Sequence, residues 1–195
     1  MASQPKHLLT SAEYLRIDSN AALRSEFFYG EMFDMAGSSV NHVLIARNLL
    51  LAVSAQLAGK DCQAIHSDLR LCVDTESHYT YPDMMVVCGE LQVMPGRNDT
   101  ILNPAAIFEV LSKSTAAHDR GAKFHSYQRI PTLREYFLLS QDRIFGERFE
   151  RQSDGKWLLS NHEGPDAILP IVSAGCAVSL AEIYSGIRFD AHSER

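Results

Sequence analysis

A chain of 195 residues with 46% apolar and 22% charged side chains suits a soluble globular protein of one domain that buries its own core. Its net charge of −6 argues against a protein that coats nucleic acid non-specifically. The N-terminal MASQPKHLLT lacks the basic start and apolar stretch of a secretory signal. Cys62, Cys72, Cys88 and Cys176 form no CxxC pair or Cys/His cluster, so reduced thiols, a cytoplasmic location and no structural zinc are expected.

In chain order, residues 9–19 predict a short helix, preceded by loose residues before about Leu8. SEFFYGEMFDMAG reads as a hairpin turning at Tyr29-Gly30. A helix is expected from about Ser39 to Ala58, ended by Gly59, with Val43, Leu44, Leu50, Leu51 and Leu57 at near-helical spacing. Arg47, Asn48 and Gln56 interrupt it, which marks an amphipathic or core helix and not a membrane span. CQAIHSDLRLCVD alternates, while YPDMMVVC and AAIFEVLS are nearly continuous apolar runs of the kind covered on both faces. Asp119 is placed to cap a helix over about Arg120 to Arg129, stopped by Pro131. LREYFLLS is a further buried strand, and residues 141–160 form a hairpin with Asp154-Gly155 at its turn. A short helical piece is expected around Leu180 to Tyr184. These elements predict an α/β domain over 1–195, built on a central mixed β-sheet flanked by helices.

Two carboxylates sit on apolar strands, Asp83 in YPDMMVVC and Glu109 in AAIFEVLS, and Lys123 follows 14 positions after Glu109. An ionised carboxylate is costly to bury without a cation, a proton or donors. Alternation puts Asp83, Met85 and Val87 on one face of their strand, and Ile107, Glu109 and Leu111 on one face of theirs. If the strands are neighbours with those faces aligned, the pair comes within reach of one hard cation such as Mg²⁺, which needs few carboxylates because it keeps several waters. Such an ion acidifies water and offsets charge on a phosphoryl oxygen. Between Ser112 and Arg134, five basic residues (Lys113, Arg120, Lys123, Arg129, Arg134) face one acid, Asp119. That local +4 suits a polyanionic substrate, with Lys113 and Arg120 as candidate contacts, or a solvated helix face.

The order of these residues resembles the PD-(D/E)XK nuclease superfamily. EVLSKST followed by DRGAKFHSY, together with SDLRL, YPDMMVVC and the DGKW hairpin, is similar to the Uma-two family of restriction endonuclease-like proteins, from about RSEFFYGEMFDMAG to AEIY. The resemblance implies a restriction endonuclease-like fold, Mg²⁺ or Mn²⁺ held by Asp83 and Glu109, and hydrolysis of phosphodiester bonds, with DNA the expected polymer. The superfamily lysine two residues after the glutamate is replaced here by Leu111; Lys123, in the family's DRGxK segment, is its expected substitute. Glu31 matches a hairpin glutamate of the family, and His42 a helix position that often holds histidine; both are candidate catalytic residues. Asp68 is a further neighbour of undetermined direction.

Simpler roles stand beside these. Asp83 can satisfy backbone donors at a strand start, Glu109 can form a structural ion pair with Lys123, and Lys123 can pair with Asp119 at i, i+4. Glu31 can be an exposed hairpin glutamate and His42 an ordinary helix-start residue. The rival readings are a catalytically inactive nuclease fold that binds nucleic acid or a partner, and a hydrolase of small phosphate esters. A nuclease of this size without a separate recognition domain is expected to be a homodimer.

Overall fold

The computed structural model describes residues 8–35, 37–66, 68–112 and 115–189; the expected looseness before Leu8 and the candidate Lys113 lie outside them. In chain order the first elements are α1 (Ser11–Asn20), β1 (Ser25–Phe28), β2 (Glu31–Asp34), α2 (Val40–Leu57), β3 (Cys62–His66) and β4 (Arg70–Asp74). There follow β5 (His78–Thr80), β6 (Met84–Cys88), β7 (Thr100–Ile101) and β8 (Ala106–Leu111). A crossover segment then runs through α3 (Ala116–His118), a π-helical turn (Asp119–Lys123) and α4 (Phe124–Tyr127). The chain ends with β9 (Glu135–Ser140), β10 (Phe145–Arg151), β11 (Trp157–Glu163), β12 (Ile168–Ile171), β13 (Cys176–Ser179) and α5 (Leu180–Ile183).

The apolar runs form a six-stranded mixed sheet in the order β11-β10-β9-β8-β6-β3, in which β8 and β9 are parallel and the other neighbours antiparallel. The parallel pair requires a crossover, and α3, the π-turn and α4 provide it. Alternation along the central strands splits their side chains between two cores. Met84, Val86, Phe108, Val110, Phe137 and Leu139 meet Ile45, Leu49 and Val53 of α2 and the β12-β13 hairpin. Met85, Val87, Ile107, Leu111 and Leu138 face the other way, against Phe124 and Tyr127 of α4 and Leu71 and Ile101 of a second sheet. That sheet runs β2-β1-β5-β4-β7, and α1 covers its far side through Tyr14 against Phe27 and Tyr79. Arg70, buried beneath α1, binds Asp18, which also accepts the Tyr81 hydroxyl.

The central mixed sheet is the six-stranded one, and two expectations elsewhere are corrected. CQAIHSDLRLCVD divides into β3 and β4, which belong to different sheets. The short β5, β7, β12 and β13 were not foreseen, because two to four residues carry too little periodicity to stand out. The crossover begins at Ala116 and not with an Asp119 cap; Asp119 lies inside it, buried and turned toward Lys123. Cys62 and Cys88 are joined by a disulfide, since the β3–β6 register puts them directly opposite one another, Cα atoms 3.9 Å apart. Cys72 and Cys176 are free.

The expected hairpin turns on Tyr29 and Gly30, with φ of 47° and 88°. Both signs belong to the primed turn that two-residue hairpins favour. A Cβ at position 30 would also lie 2.7 Å from that of Leu8. Helix α2 is long and apolar enough by composition to cross a membrane, yet its Ile45, Ala46, Leu49, Val53 and Leu57 are buried against the sheet. Leu49→Ala should therefore lower the unfolding free energy by about 2–5 kcal/mol in urea melts, the usual cost of a core cavity. A loss below 1 kcal/mol would mean that α2 is not packed this way.

Candidate active site

Strands β6 and β8 pair with Met85 opposite Ile107 and Met84 opposite Phe108. Asp83 immediately precedes β6 and Glu109 follows Phe108 on β8, so the two sit at the same end of the pair and both line one cleft. Asp83 lies at the strand's start, half-buried. Its Oδ2 accepts the Val110 amide at 2.6 Å and its Oδ1 is 2.9 Å from Nε2 of His42. His42 is held in the first turn of α2, where its own amide donates to the Ser39 cap.

Glu109 is 5% exposed and projects from β8 toward the second sheet. Its Oε1 accepts the Tyr127 hydroxyl at 2.8 Å and lies 2.9 Å from Nζ of Lys123. The same ammonium is 2.9 Å from Oε1 of Glu26 and 3.8 Å from Oδ1 of Asp119. Lys123, also 5% exposed, thus sits among three carboxylates. Its backbone belongs to the π-turn, a rare conformation often found at functional sites. Glu26 comes from β1 and also accepts the Thr80 hydroxyl.

One ammonium cannot balance this set. Burial disfavours charge on Glu109, and although Lys123 opposes this, Asp119, Asp83 and Glu26 add to it; the carboxyl is pushed up to about 8. At Glu26 burial acts in the same direction, but Lys123 and the Thr80 hydroxyl win and the group falls to about 2. Lys123 is raised well above its ordinary value, because the three carboxylates outweigh its burial. For His42, burial works downward, but the hydrogen bond and charge of Asp83 lift it above the ordinary imidazole value. An ammonium this strongly held is not a proton acceptor at neutral pH.

These groups line a cleft of about 750 Å³ between the ends of the two sheets. Asp83, Glu109, Lys123 and His42, all singled out in the sequence, meet there. Glu31 is not in the lining: it opens β2 opposite Phe28, and the hairpin carboxylates in the cleft are Glu26 and Asp34. Glu26 was missed because its four-residue strand conceals which face it shares. Arg120 is outside the lining, paired at 2.8 Å with Glu147 of β10. Asp68 is exposed in the β3–β4 connection and lines no part of the cleft.

Among the described residues, no three His, Cys, Asp or Glu side chains form a ready-made metal shell. The donors nevertheless suit a hard cation. Asp83 and Glu109 supply oxygen ligands from paired strands, and the surrounding carboxylates exceed the available positive charge. Mg²⁺ accepts one or two carboxylates and keeps water for its remaining positions.

Three comparisons establish the family and the fold of the chain. Residues 11–181 match the Uma2 family, described as "Putative restriction endonuclease", and the chain belongs to that family. Two relatives come from Synechocystis sp. The uncharacterized protein slr1290 is 34% identical over 96% of this chain and 97% of its own length; the uncharacterized protein sll1609 is 36% identical over 82% and 90%. The fold is shared with the crystal structure of a "putative nuclease belonging to DUF820" from Anabaena variabilis. That match has a TM-score of 0.74 at 16% identity and covers 91% of this chain and 98% of the other.

Two predictions concern the buried charges. Lys123→Met leaves Glu26, Glu109 and Asp119 without their cation and should cost about 3–5 kcal/mol in urea unfolding at pH 7.5 with EDTA. Adding Glu109→Gln should restore part of the loss; strictly additive changes would show that the two groups do not interact. His78, 1% exposed, lies beside the cleft with its imidazole lowered by burial to about 4 against an ordinary 6.5. The unfolded chain takes up this proton at a higher pH than the folded one, so the stability contribution is full above 6.5 and falls as pH drops toward 4. Between pH 7 and 4.5, His78→Phe should lose on the order of 2 kcal/mol less stability than the wild type. Parallel losses in the two proteins would exclude His78 as the source.

Proposed function

We propose that the chain is a metal-dependent nuclease that hydrolyses phosphodiester bonds, DNA being the expected polymer, with Mg²⁺ or Mn²⁺ held by Asp83 and Glu109. The observation that carries this reading is the meeting of those two carboxylates across β6 and β8, in a cleft whose remaining acids exceed its lysine. A divalent ion there would supply an acidified water and a counter-charge for the phosphoryl oxygens. Lys123 keeps Glu109 oriented and brings positive charge close to the phosphate. Tyr127 donates to the same carboxylate oxygen that Lys123 contacts. His42 orients Asp83 through Nε2, and its raised affinity for a proton suits it to protonate a leaving oxygen. Family membership and the shared nuclease fold support the reaction class. A homodimer remains part of the proposal, symmetric pairs being common among soluble proteins.

The second reading is a non-catalytic nuclease fold that binds nucleic acid or a partner. The observation in its favour is the engagement of Lys123 with Glu109, Glu26 and Asp119, together with Leu111 at the superfamily's lysine position. Calorimetric Mn²⁺ titration of the wild type and Asp83→Asn, run alongside cleavage of plasmid and single-stranded DNA, separates the two. The nuclease reading expects metal binding and cleavage in the wild type, with cleavage at least 100-fold lower in the variant. Metal binding without cleavage of any DNA or RNA, or binding equal in the two proteins, would leave the carboxylates structural.

A further inference from the structure

We propose that the cleft receives single-stranded nucleic acid, with one nucleobase lying against the sheet face that carries Phe28 and Phe33. This inference rests on the phosphodiesterase reading and specifies its substrate class.

The placement follows from register. Across β1 and β2, Glu26 is opposite Phe33 and Phe28 is opposite Glu31; across β1 and β5, Phe28 is opposite His78. Directly opposed residues project from the same side of a sheet, so Glu26, Phe28, Phe33 and His78 share one face. All four line the cleft. A phosphate held near Glu109 and Lys123 would therefore have an aromatic surface beside it, starting at the residue opposite Glu26.

That surface is incompletely covered. Phe33 is 49% exposed and its neighbour Met35 39%, a costly way to leave large apolar groups unless something lies on them. Phe28 meets the His78 ring edge-on at 4.9 Å, and His78 stacks on Tyr127 at 6.2 Å. Nδ1 of His78 is buried and has no hydrogen-bond partner among the described residues.

Charge excludes the alternative. Glu26, Asp34, Asp83, Glu109 and Asp119 line the cleft, and among the described residues of the lining Lys123 is the sole lysine or arginine. Duplex DNA brings twice the phosphate charge per unit length of a single strand and keeps its base faces stacked inside. This cleft repels the first property and has no access to the second. A single strand offers π-faces, which aromatic platforms bind with little regard to sequence.

The test is fluorescence anisotropy with Mn²⁺, using a labelled 12-nucleotide single strand, its duplex, and the same strand with abasic central positions. Products are followed on gels in parallel. Wild type, Phe33→Ala and Phe33→Trp are compared; position 33 is exposed, so neither change threatens the fold. The proposal expects the single strand to bind more tightly than the duplex or the abasic strand. It expects binding to weaken by roughly 5- to 100-fold in Phe33→Ala and to recover in Phe33→Trp. Equal binding of abasic and intact strands, or of duplex and single strand, overturns it. Base-dependent binding without cleavage would support the platform while removing the hydrolytic reading. Cleavage of duplex that is indifferent to Phe33→Ala would do the reverse.

Discussion

The arrangement at this cleft depends on one buried ammonium. Lys123 ties together three chain segments distant in sequence: Glu26 from the hairpin, Glu109 from the central sheet and Asp119 from its own π-turn. Removing four charged groups from water is unfavourable unless each finds close partners, and in this cluster they find them in one another and in the Thr80 and Tyr127 hydroxyls. The two large sheets are thereby held at a fixed separation where the cleft opens. The π-turn contributes directly, since it carries Asp119 and Lys123, both buried, at its two ends.

The cluster is stable but not neutral. A single cation among several carboxylates leaves a deficit, expressed in the raised protonation of Glu109 and the strong hold on the Lys123 proton. A divalent ion and a phosphate group would relieve it together, each compensating the other. The pairing of β6 with β8 brings Asp83 and Glu109 to the same end of the two strands, where both line the cleft. His42 reaches Asp83 from a different layer, so the packing of α2 on the sheet is coupled to the geometry of the cleft.

Family and fold say different things about this chemistry. The match over residues 11–181 and the relatives at 34% and 36% identity establish kinship, while the solved nuclease at 16% identity establishes only the shared architecture. A fold can host several activities, so the argument for hydrolysis rests on the side chains in the cleft. The side chain of Leu111 joins the core beside Met85 and Ile107, and the ammonium beside Glu109 comes from the π-turn of the crossover.

By itself, the sequence determined the parts governed by local pattern. The apolar runs around Asp83 and Glu109 marked central strands, the spacing in 40–57 marked a core helix, and Tyr29-Gly30 and Asp154-Gly155 marked hairpin turns. Asp83 and Glu109 stood out because carboxylates on apolar strands require partners, while Lys123 and His42 stood out chiefly through their match to the family's DRGxK segment and helix histidine. Tertiary structure alone decided the rest. It separated β3 from β4 into different sheets, brought Cys62 across from Cys88, paired Arg120 with Glu147, and set Glu26 beside Lys123. Each of those outcomes depends on which strands pair and in what register. A one-residue shift in a four-residue strand reverses the face of every side chain, and no local pattern in so short a segment encodes that choice.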